Sequence, residues 1–411
     1  MSMDDVQEQE VEVEKVEAPT ASAVVDGATL KRALGYVRKF VPKSSYFGPQ
    51  QTCVGVALGE GVTLFAGDWE YAQVRMTLPG AETSGDEARF GIMLDDAQVL
   101  CKQKLSGPVE LVLREGKLRV GGQTMPTQNI EDMALLNEEA STPHIRIQQD
   151  AWYEALEAIY PAVSSDETLP VLTGAYLDQD DEEVVLVATD MYRLALWNMP
   201  KEAVDTLPQM CFILPGKLLK LYLAARTMLD LGSGSEVLLG LCRQGEVESA
   251  SATLVTEWRP SKTGEVGSLR LTGRLIKGEF PNYPLVIPSK GARTEIPAST
   301  LIDLLGKVAP TAKGDSHRVM LIHEGGVLRA KARGQETDEG VLAEAECATG
   351  GEVNWRLAVN VNYLLDGLRP FAKRGGETTV VLETWTKPLS PIKLTSQHVP
   401  FTYVVMPMQE V

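Results

Sequence analysis

The chain has 411 residues, about three times the length of a typical single domain, so its length predicts two or three domains. Its apolar fraction of 44% and charged fraction of 23% are those of globular proteins, which excludes a largely disordered, collagen-like or membrane-embedded chain. The 39 Lys and Arg residues against 56 acids give a formal net charge of -17, so the surface as a whole cannot hold nucleic acid. Any contact with DNA requires a local basic face.

The beginning of the sequence predicts a disordered acidic tail over residues 1–21. The first twenty residues carry seven acids against Lys15 and almost no bulky apolar side chain, so burial cannot offset the entropy of ordering them. No basic-then-apolar leader and no apolar run of about 18 residues is present, which favours a cytoplasmic protein with no membrane partner.

The five cysteines are widely spaced and form no C-x-x-C pair, which predicts reduced, mostly buried thiols in a cytosolic compartment. They are Cys53, Cys101, Cys211, Cys242 and Cys347.

A threefold internal repeat follows the tail. Apolar residues stand 5, 9 and 12 positions after each of three starting residues, Val25, Ile147 and Ile296. Steps of four and three residues after an extended start predict a strand followed by a helix with one buried face. The repeated positions are Leu30, Leu34 and Val37; Trp152, Leu156 and Ile159; and Leu301, Leu305 and Val308.

Each repeat continues with a predicted hairpin, over residues 54–68, 175–190 and 319–334, with turn residues at its centre. A second strand-then-helix pattern then begins near Phe90, Cys211 and Trp355, where Asp95 and Asn360 are predicted helix N-caps.

These patterns predict an α+β fold of three similar domains, each built from two strand-helix-strands units, with six helices in all. The predicted domains are residues 22–140, 141–288 and 289–411, divided at polar stretches. Such regular repeats favour a scaffold over an enzyme.

The sequence offers no catalytic motif. Its histidines, His144, His317, His323 and His398, stand in no recognisable arrangement, and the Gly-rich stretches at 215–220 and 231–236 fit no phosphate-binding loop. We therefore predict no active site, no metal site and no cofactor. A hydrolase or transferase on a repetitive β scaffold would need a convergent His or carboxylate cluster, which the sequence does not indicate.

Positive charge is concentrated in some predicted helices. The helix at 27–41 carries four basic residues and the helix at 213–229 carries three, neither with an acid, whereas the helix at 149–163 carries three acids and no base. The six helices together carry +6, which leaves -23 for the rest of the chain. A solvated helix surface remains an alternative interpretation of these charges.

Three stretches then resemble one family. TLPVLTGAYLDQDDEEVVLVATDMYRLALWNMP at 168–200, RLIKGEFPNYPLVIP at 274–288 and YVVMPM at 403–408 resemble, in this order, the bacterial sliding clamp, the β subunit of DNA polymerase III. The resemblance covers about residues 22–408 and is weakest in the first predicted domain.

The resemblance implies a head-to-tail homodimeric ring of the DNA clamp fold that encircles duplex DNA and confers processivity without catalysis. A duplex about 20 Å across does not fit inside six helices of about 10 Å width, which leave about 9 Å clear, whereas twelve leave about 28 Å. Closure around DNA would also relieve the need for a tight electrostatic grip. Basic residues expected to face the DNA are Arg38, Lys43, Lys217, Lys220, Arg369 and Lys373.

The family also binds short linear peptides with apolar anchors, from DNA polymerase, the clamp loader and repair proteins. By matching motif positions, the implied pocket here consists of Leu172, Thr189, Tyr192, Arg193, Leu194, Pro281, Val286, Tyr363, Val404, Val405, Met406, Pro407 and Met408. Adaptable Met side chains beside Pro and aromatic walls suit a surface that binds several related peptides.

The sequence departs from the family pattern at the pocket and near the DNA. Met191 and Tyr192 replace a common Gly-His pair, and Pro284 and Leu285 stand where an Arg is common. The loop SSDET at 164–168, which resembles a DNA-proximal loop, is acidic. These departures support an alternative, a divergent clamp homologue that is an interaction scaffold for repair or specialised polymerases outside the main replication fork.

Overall fold

The structure is a computed structural model of the chain. It describes residues 21–44, 48–68, 72–136, 138, 145–179, 183–204, 210–229, 231, 234–244, 247–259, 265–289, 291–312, 316–333, 342–349, 353–373, 378–384 and 390–409. The predicted tail, 1–20, lies outside these residues, and the first strand begins at Ala21, which the sequence assigned to the tail.

The chain divides into two compact units. The first consists of Met1–Ala66 and Met76–Met133, and the second of Gly67–Arg75 and Ala134–Val411. The division into three domains at residues 140 and 288 stays a prediction.

The elements up to residue 133 are two helices among nine short strands. They are β1 (Ala21–Asp26), α1 (Gly27–Val37), β2 (Cys53–Leu58), β3 (Val62–Asp68), β4 (Ala72–Thr77), β5 (Glu82–Gly85), β6 (Ala88–Met93), α2 (Leu94–Lys102), β7 (Pro108–Arg114), β8 (Lys117–Val120) and β9 (Gln123–Pro126). In the first unit the strands follow the orders β5-β1-β7-β8-β9 and β3-β2-β6, with antiparallel neighbours.

The rest of the chain repeats this alternation of helices and strands. Its first elements are β10 (Ile145–Gln148), α3 (Gln149–Ile159), β11 (Gly174–Gln179), β12 (Val184–Thr189), β13 (Arg193–Asn198), β14 (Met210–Pro215), α4 (Gly216–Leu229), β15 (Glu236–Gln244), β16 (Val247–Trp258) and β17 (Gly267–Arg274). The remaining elements are β18 (Ala292–Pro297), α5 (Ala298–Val308), β19 (Arg318–Glu324), β20 (Val327–Arg333), β21 (Leu342–Ala348), β22 (Trp355–Asn360), α6 (Val361–Ala372), β23 (Thr379–Thr384), β24 (Ile392–Thr395) and β25 (Phe401–Val405).

Three antiparallel arrangements organise the second unit. The largest sheet has eight strands in the order β14-β11-β12-β13-β25-β24-β23-β18. A four-stranded sheet follows the order β21-β20-β19-β22, and β10-β15-β16-β17 are neighbours in that order. The strand that precedes residue 406 therefore lies inside a sheet, between β13 and β24.

The threefold repeat is confirmed as a structural repeat. Val25, Ile147 and Ile296 lie in β1, β10 and β18, each of which leads directly into a helix. All nine repeated apolar residues on α1, α3 and α5 are at most 1% exposed. The spacing recurs because each helix buries the same face against its own sheet.

The second strand-helix pattern of each repeat is also confirmed, by β6–α2, β14–α4 and β22–α6. Asn360 is the N-cap of α6, where its Oδ1 accepts hydrogen bonds from the backbone N–H groups of Asn362 and Tyr363. The prediction that Asp95 caps α2 is wrong. The helix begins at Leu94 after Met93, so Asp95 lies in the first turn, where its charge still suits the helix dipole.

The predicted hairpins are formed by β2–β3, β11–β12 and β19–β20. Gly325 and Gly326 both adopt positive φ at the third turn, as a two-residue hairpin turn requires. Asp180 and Asp181, in the second predicted turn, lie outside the described residues.

The helices of the second unit pack in pairs, α3 with α4 and α5 with α6, and α3 also contacts α6. Gly367 permits close packing of α6 on β25, because a Cβ atom at this position would overlap the buried ring of Tyr403. Gly306 on α5 faces open space, with no heavy atom within 4 Å of the position of its Cβ.

This contrast predicts opposite effects of one substitution on neighbouring helices. Gly367→Ala should lower the free energy of unfolding by about 1–3 kcal/mol because it overpacks the core. Gly306→Ala should raise it by about 0.5–1 kcal/mol because alanine restricts the unfolded chain at no steric cost. Urea unfolding followed by circular dichroism measures both free energies. A loss of stability in Gly306→Ala would contradict the open space beside Gly306.

Candidate functional site

Strands β13 and β25 join two of the predicted pocket stretches. Arg193 pairs with Val405 and Leu194 with Val404 in an antiparallel register. Beyond the strand, the backbone N–H of Met406 donates to the carbonyl oxygen of Tyr192 at 2.8 Å. Residues 192–194 and 404–406 therefore lie side by side at one end of the eight-stranded sheet.

An apolar cluster lies on the same strands and reaches the third predicted stretch. Its buried members are Val185, Val187, Leu194, Leu196 and Val404, with Tyr176, Phe280, Tyr283 and Ile287 packed against them. Tyr176 stacks on Phe280 with ring centroids 4.9 Å apart, and Tyr283 Oη donates to Asp178 Oδ2 at 2.9 Å. The 3₁₀ turn Tyr283–Val286 is thereby fixed beside the sheet.

The predicted pocket residues differ widely in exposure. Leu172, Leu194, Val404 and Val405 are at most 3% exposed, so these four contribute to the core beneath the surface. Thr189, Arg193, Tyr363, Pro407 and Met408 are half-buried, whereas Tyr192, Pro281, Val286 and Met406 are exposed. Whether these four residues line the floor of a peptide pocket stays a prediction, because their side chains lie below the exposed ones.

Two large apolar side chains outside the predicted pocket set are exposed near these residues. Met191, beside Tyr192, is 65% exposed, and Leu285, beside Val286, is 81% exposed. Apolar side chains with this exposure are typical of an interaction surface when they lie together.

The turn between β12 and β13 is held by Asp190. Its Oδ1 accepts hydrogen bonds from the backbone N–H groups of Tyr192 and Arg193, both at 3.0 Å. Thr189 Oγ1 donates to the carbonyl oxygen of Arg193 at 2.7 Å. These bonds place Met191 at a φ of 75°, a left-handed conformation that costs energy for any residue with a Cβ atom.

Arg193 is held by two carboxylates and an aromatic ring. Its Nε lies 2.9 Å from Asp190 Oδ2, its Nη1 lies 2.7 Å from Asp366 Oδ2, and its guanidinium lies 4.3 Å from the centre of the Tyr363 ring. Burial opposes the charge of Arg193, but Tyr403, Asp366 and Asp190 together raise its pKa above the ordinary value. Only 12% of its side chain is exposed, so Arg193 contributes to the predicted pocket mainly by holding Asp190 and Tyr363 in place.

The residues after β25 are fixed by α6 and β22. Tyr403 Oη donates to the carbonyl oxygen of Tyr363 at 2.8 Å, and the backbone N–H of Met408 donates to the carbonyl oxygen of Ala358 at 2.8 Å. Met406 keeps 41% of its surface exposed. The Met-Pro-Met segment, residues 406–408, is therefore anchored through its backbone.

Sequence reasoning missed Asp178, Asp190, Phe280, Tyr283 and Asp366. Phe280 and Tyr283 stand in the stretch EFPNYP, whose aromatic residues were a signal that could have identified them. Asp366 entered the sequence analysis only through the total charge of the six helices, because its partner Arg193 is distant in sequence.

Most of the predicted DNA-facing cations of the second unit have acidic partners. Lys373 Nζ lies 2.9 Å from Glu157 Oε2, Arg369 Nη1 lies 2.7 Å from Asp366 Oδ1, and Lys217 Nζ lies 4.0 Å from Asp68 Oδ2. Lys220 is exposed on α4. In the first unit, Arg38 is half-buried in the 3₁₀ turn after α1 and Lys43 is exposed.

A cavity of about 270 Å³ lies beside α3 and α6 in the second unit. Its lining includes Tyr160 and Trp197, and its charged residues include the Lys373–Glu157 pair and Arg369. Among the described residues, no group of three or more His, Cys, Asp and Glu could hold a metal ion. None of the helices within the described ranges is long and apolar enough to span a membrane.

In the acidic loop at 164–168, the carboxylate of Asp166 is held by hydrogen bonds. The backbone N–H and Oγ1 of Thr168 donate to Asp166 Oδ1 at 2.9 and 2.7 Å. These hydrogen bonds lower the pKa of Asp166, so this exposed carboxylate stays negative at neutral pH. The loop therefore presents a negative charge where the resemblance implied DNA.

Comparisons with known proteins agree with the resemblance found in the sequence. Residues 146–282 match the family described as DNA polymerase III beta subunit, central domain. The beta sliding clamp of Caulobacter vibrioides is 25% identical over 404 residues, which cover 94% of this chain and 99% of that protein. The beta sliding clamp homolog GriR of Streptomyces muensis is 26% identical over 325 residues, covering 76% of this chain and 78% of GriR.

The fold is that of the sliding clamps. A crystal structure of the DnaN sliding clamp, DNA polymerase III subunit beta, from Pseudomonas aeruginosa bound to griselimycin superposes with a TM-score of 0.78 at 20% identity. The superposition covers 95% of this chain and 100% of that structure. The predicted DNA clamp fold is thus confirmed.

The strained turn predicts that Met191→Gly stabilises the protein. Glycine adopts positive φ without steric cost, so the free energy of unfolding should rise by about 0.5–1 kcal/mol after allowing for the greater freedom of glycine in the unfolded chain. Tyr192→Gly is the control, because Tyr192 does not have positive φ and its replacement should destabilise. Equal losses of stability in both variants, measured by urea unfolding, would contradict the turn geometry.

Proposed function

We propose that this chain, which has the sliding-clamp fold and sliding-clamp relatives, is a DNA sliding clamp. It encircles duplex DNA as a closed head-to-tail homodimer and tethers the replicative polymerase, the clamp loader and repair proteins through short linear peptides. The observation that carries this proposal is the fold match, which extends over 95% of this chain and the whole of a solved clamp. The chain acts without catalysis or a cofactor.

The ring requires two copies. Six helices of about 10 Å width enclose far less space than a duplex about 20 Å across needs, whereas twelve enclose enough. The part of the chain that the structure describes contains six α-helices, α1 to α6, which supports this count.

DNA is held loosely in the proposed ring. Lys373, Arg369 and Lys217 have acidic partners, so a phosphate must compete with a carboxylate for each of them. Weak, easily exchanged contacts permit sliding, and topological closure prevents dissociation.

Peptide binding is assigned to the rim of Tyr192, Val286 and Met406. These exposed apolar side chains lie on elements that the β13–β25 pairing and the apolar cluster bring together. Flexible methionine beside aromatic side chains suits several related peptides. Griselimycin bound to the similar clamp of Pseudomonas aeruginosa supports the presence of a ligand site in this fold.

A cytoplasmic location completes the proposal. Cys53, Cys101, Cys211 and Cys242 are free thiols, which suits a reducing compartment.

A second candidate is a specialised clamp homologue that acts in repair or with other polymerases outside the main replication fork. The observations that favour it are the exposed Met191 and Leu285 and the negative charge of Asp166. Peptides from the replicative polymerase of the same cell should then fail to bind while a repair-protein peptide binds.

Encirclement predicts retention that depends on DNA topology. The protein should sediment as a dimer at micromolar concentration and, once loaded, stay on nicked circular DNA at about 0.5 M salt, where electrostatic contacts are screened. Linearising the DNA should release it. A monomer at micromolar concentration, with no rings in electron micrographs, would contradict the proposed clamp function.

The two methionines of the Met-Pro-Met segment predict a selective loss of peptide binding when both are replaced. Met406→Ala combined with Met408→Ala should lower the affinity for a fluorescent peptide with leucine and phenylalanine anchors by about 10- to 100-fold, because both side chains supply apolar contact area. Fluorescence anisotropy measures affinity and sedimentation measures assembly. Loss of the dimer in this variant would show that the segment serves assembly.

A further inference from the structure

One carboxylate in the second unit is shared by two arginines on different elements. Asp366 Oδ2 lies 2.7 Å from Nη1 of Arg193 on β13, and Asp366 Oδ1 lies 2.7 Å from Nη1 of Arg369, one turn further along α6. The side chain of Asp366 is 21% exposed. Both oxygens of this carboxylate are therefore engaged.

The Arg193 end of this chain of charges reaches the proposed peptide pocket. The side chain of Arg193 is 12% exposed, and its guanidinium contacts Asp190 at 2.9 Å and lies over the ring of Tyr363. Asp190 in turn holds the backbone N–H groups of the turn that presents Tyr192. The position of one guanidinium thus sets an aromatic wall and a turn of the pocket.

The Arg369 end is open to solvent. Its side chain is 67% exposed and lines the cavity beside α3 together with Lys373. Arg369 is also among the residues that we expect to face DNA. An anion can therefore reach Arg369 without disturbing the buried part of the pocket.

The two arginines share the negative charge of Asp366, each through a different oxygen. An exposed ion pair such as Asp366–Arg369 contributes little stability, whereas the more buried Arg193 depends more strongly on its carboxylates. When Arg369 is removed or captured by a phosphate, the charge of Asp366 acts on Arg193 alone. Coupling of this kind is reciprocal, so peptide binding would also strengthen DNA contact.

We propose that Asp366 is a positioning residue that couples the peptide pocket to the α6 surface carrying Arg369, so that loss or phosphate capture of Arg369 tightens peptide binding. The inference rests on the proposed function, since it takes the rim of Tyr192, Val286 and Met406 as the peptide site.

The test compares single substitutions by titration with the fluorescent leucine–phenylalanine peptide, and with griselimycin as a second probe. Arg369→Ala should lower the peptide Kd about 2- to 4-fold, and Asp366→Asn should raise it about 5- to 10-fold. Lys307→Ala and Asp303→Asn on α5 are matched controls that make the same charge changes at exposed positions. Both controls should leave the Kd within 1.5-fold of the wild type.

A double-mutant cycle separates positioning from a general structural effect. In the Asp366→Asn background, Arg369→Ala should no longer change the Kd, because the shared carboxylate charge is absent. Asp366→Asn should likewise have little effect on the residual binding of Arg193→Ala. An unchanged Kd in Arg369→Ala, or the same shift in both backgrounds, would overturn the coupling.

A saturating concentration of a short DNA duplex at low salt tests the effect of phosphate capture of Arg369. It should tighten peptide binding to the wild type about 2- to 4-fold and leave the affinity of Arg369→Ala unchanged. Tightening of equal size in both proteins would overturn the coupling and leave the clamp proposal intact. A wild-type protein that binds neither probe would contradict the proposed peptide site itself.

Discussion

The guanidinium of Arg193 lies almost out of solvent between the carboxylates of Asp190 and Asp366. A buried charge is stable only when its partners are well placed, so this contact constrains three elements at once: the turn before β13, the strand itself and helix α6. Tyr363 stacks under the same group. The surface that we assign to peptide binding is therefore built on an ionic framework, although its exposed side chains are apolar.

Basic side chains elsewhere in the second unit are also paired with carboxylates. The chain is strongly acidic, and Lys373, directly after α6, and Arg369 on α6 pair with Glu157 and Asp366. A protein that must hold DNA by affinity alone would leave such cations unpaired. Local neutralisation fits a molecule whose grip comes from closure, because contacts that exchange readily do not arrest movement along the duplex.

Periodicity was sufficient to predict the repeated strand-helix elements but not their side-chain contacts. The spacing from Ile147 to Trp152 recurs because a helix face must be buried, and that requirement is visible in one sequence. Asp95 was placed wrongly because Met93 is the N-cap and the helix begins at Leu94, two residues earlier than an N-cap at Asp95 implies. The Asp366–Arg193 pair joins α6 to β13, and no local pattern encodes a contact between elements so distant in sequence.

The position of β25 has a consequence for how the fold is completed. This strand lies between β13 and β24, and it is the latest in the sequence of the strands in its sheet. Until it docks, both neighbours present unpaired backbone groups, and the segment from Met406 to Met408 has no support. The pairing of β25 with β13 joins Arg193 to Val405, which are far apart in sequence, and such long-range pairing is slow to form. A nascent or clipped molecule lacking β25 would lack the surface that we propose binds peptides, so completion of the sheet would have to precede binding.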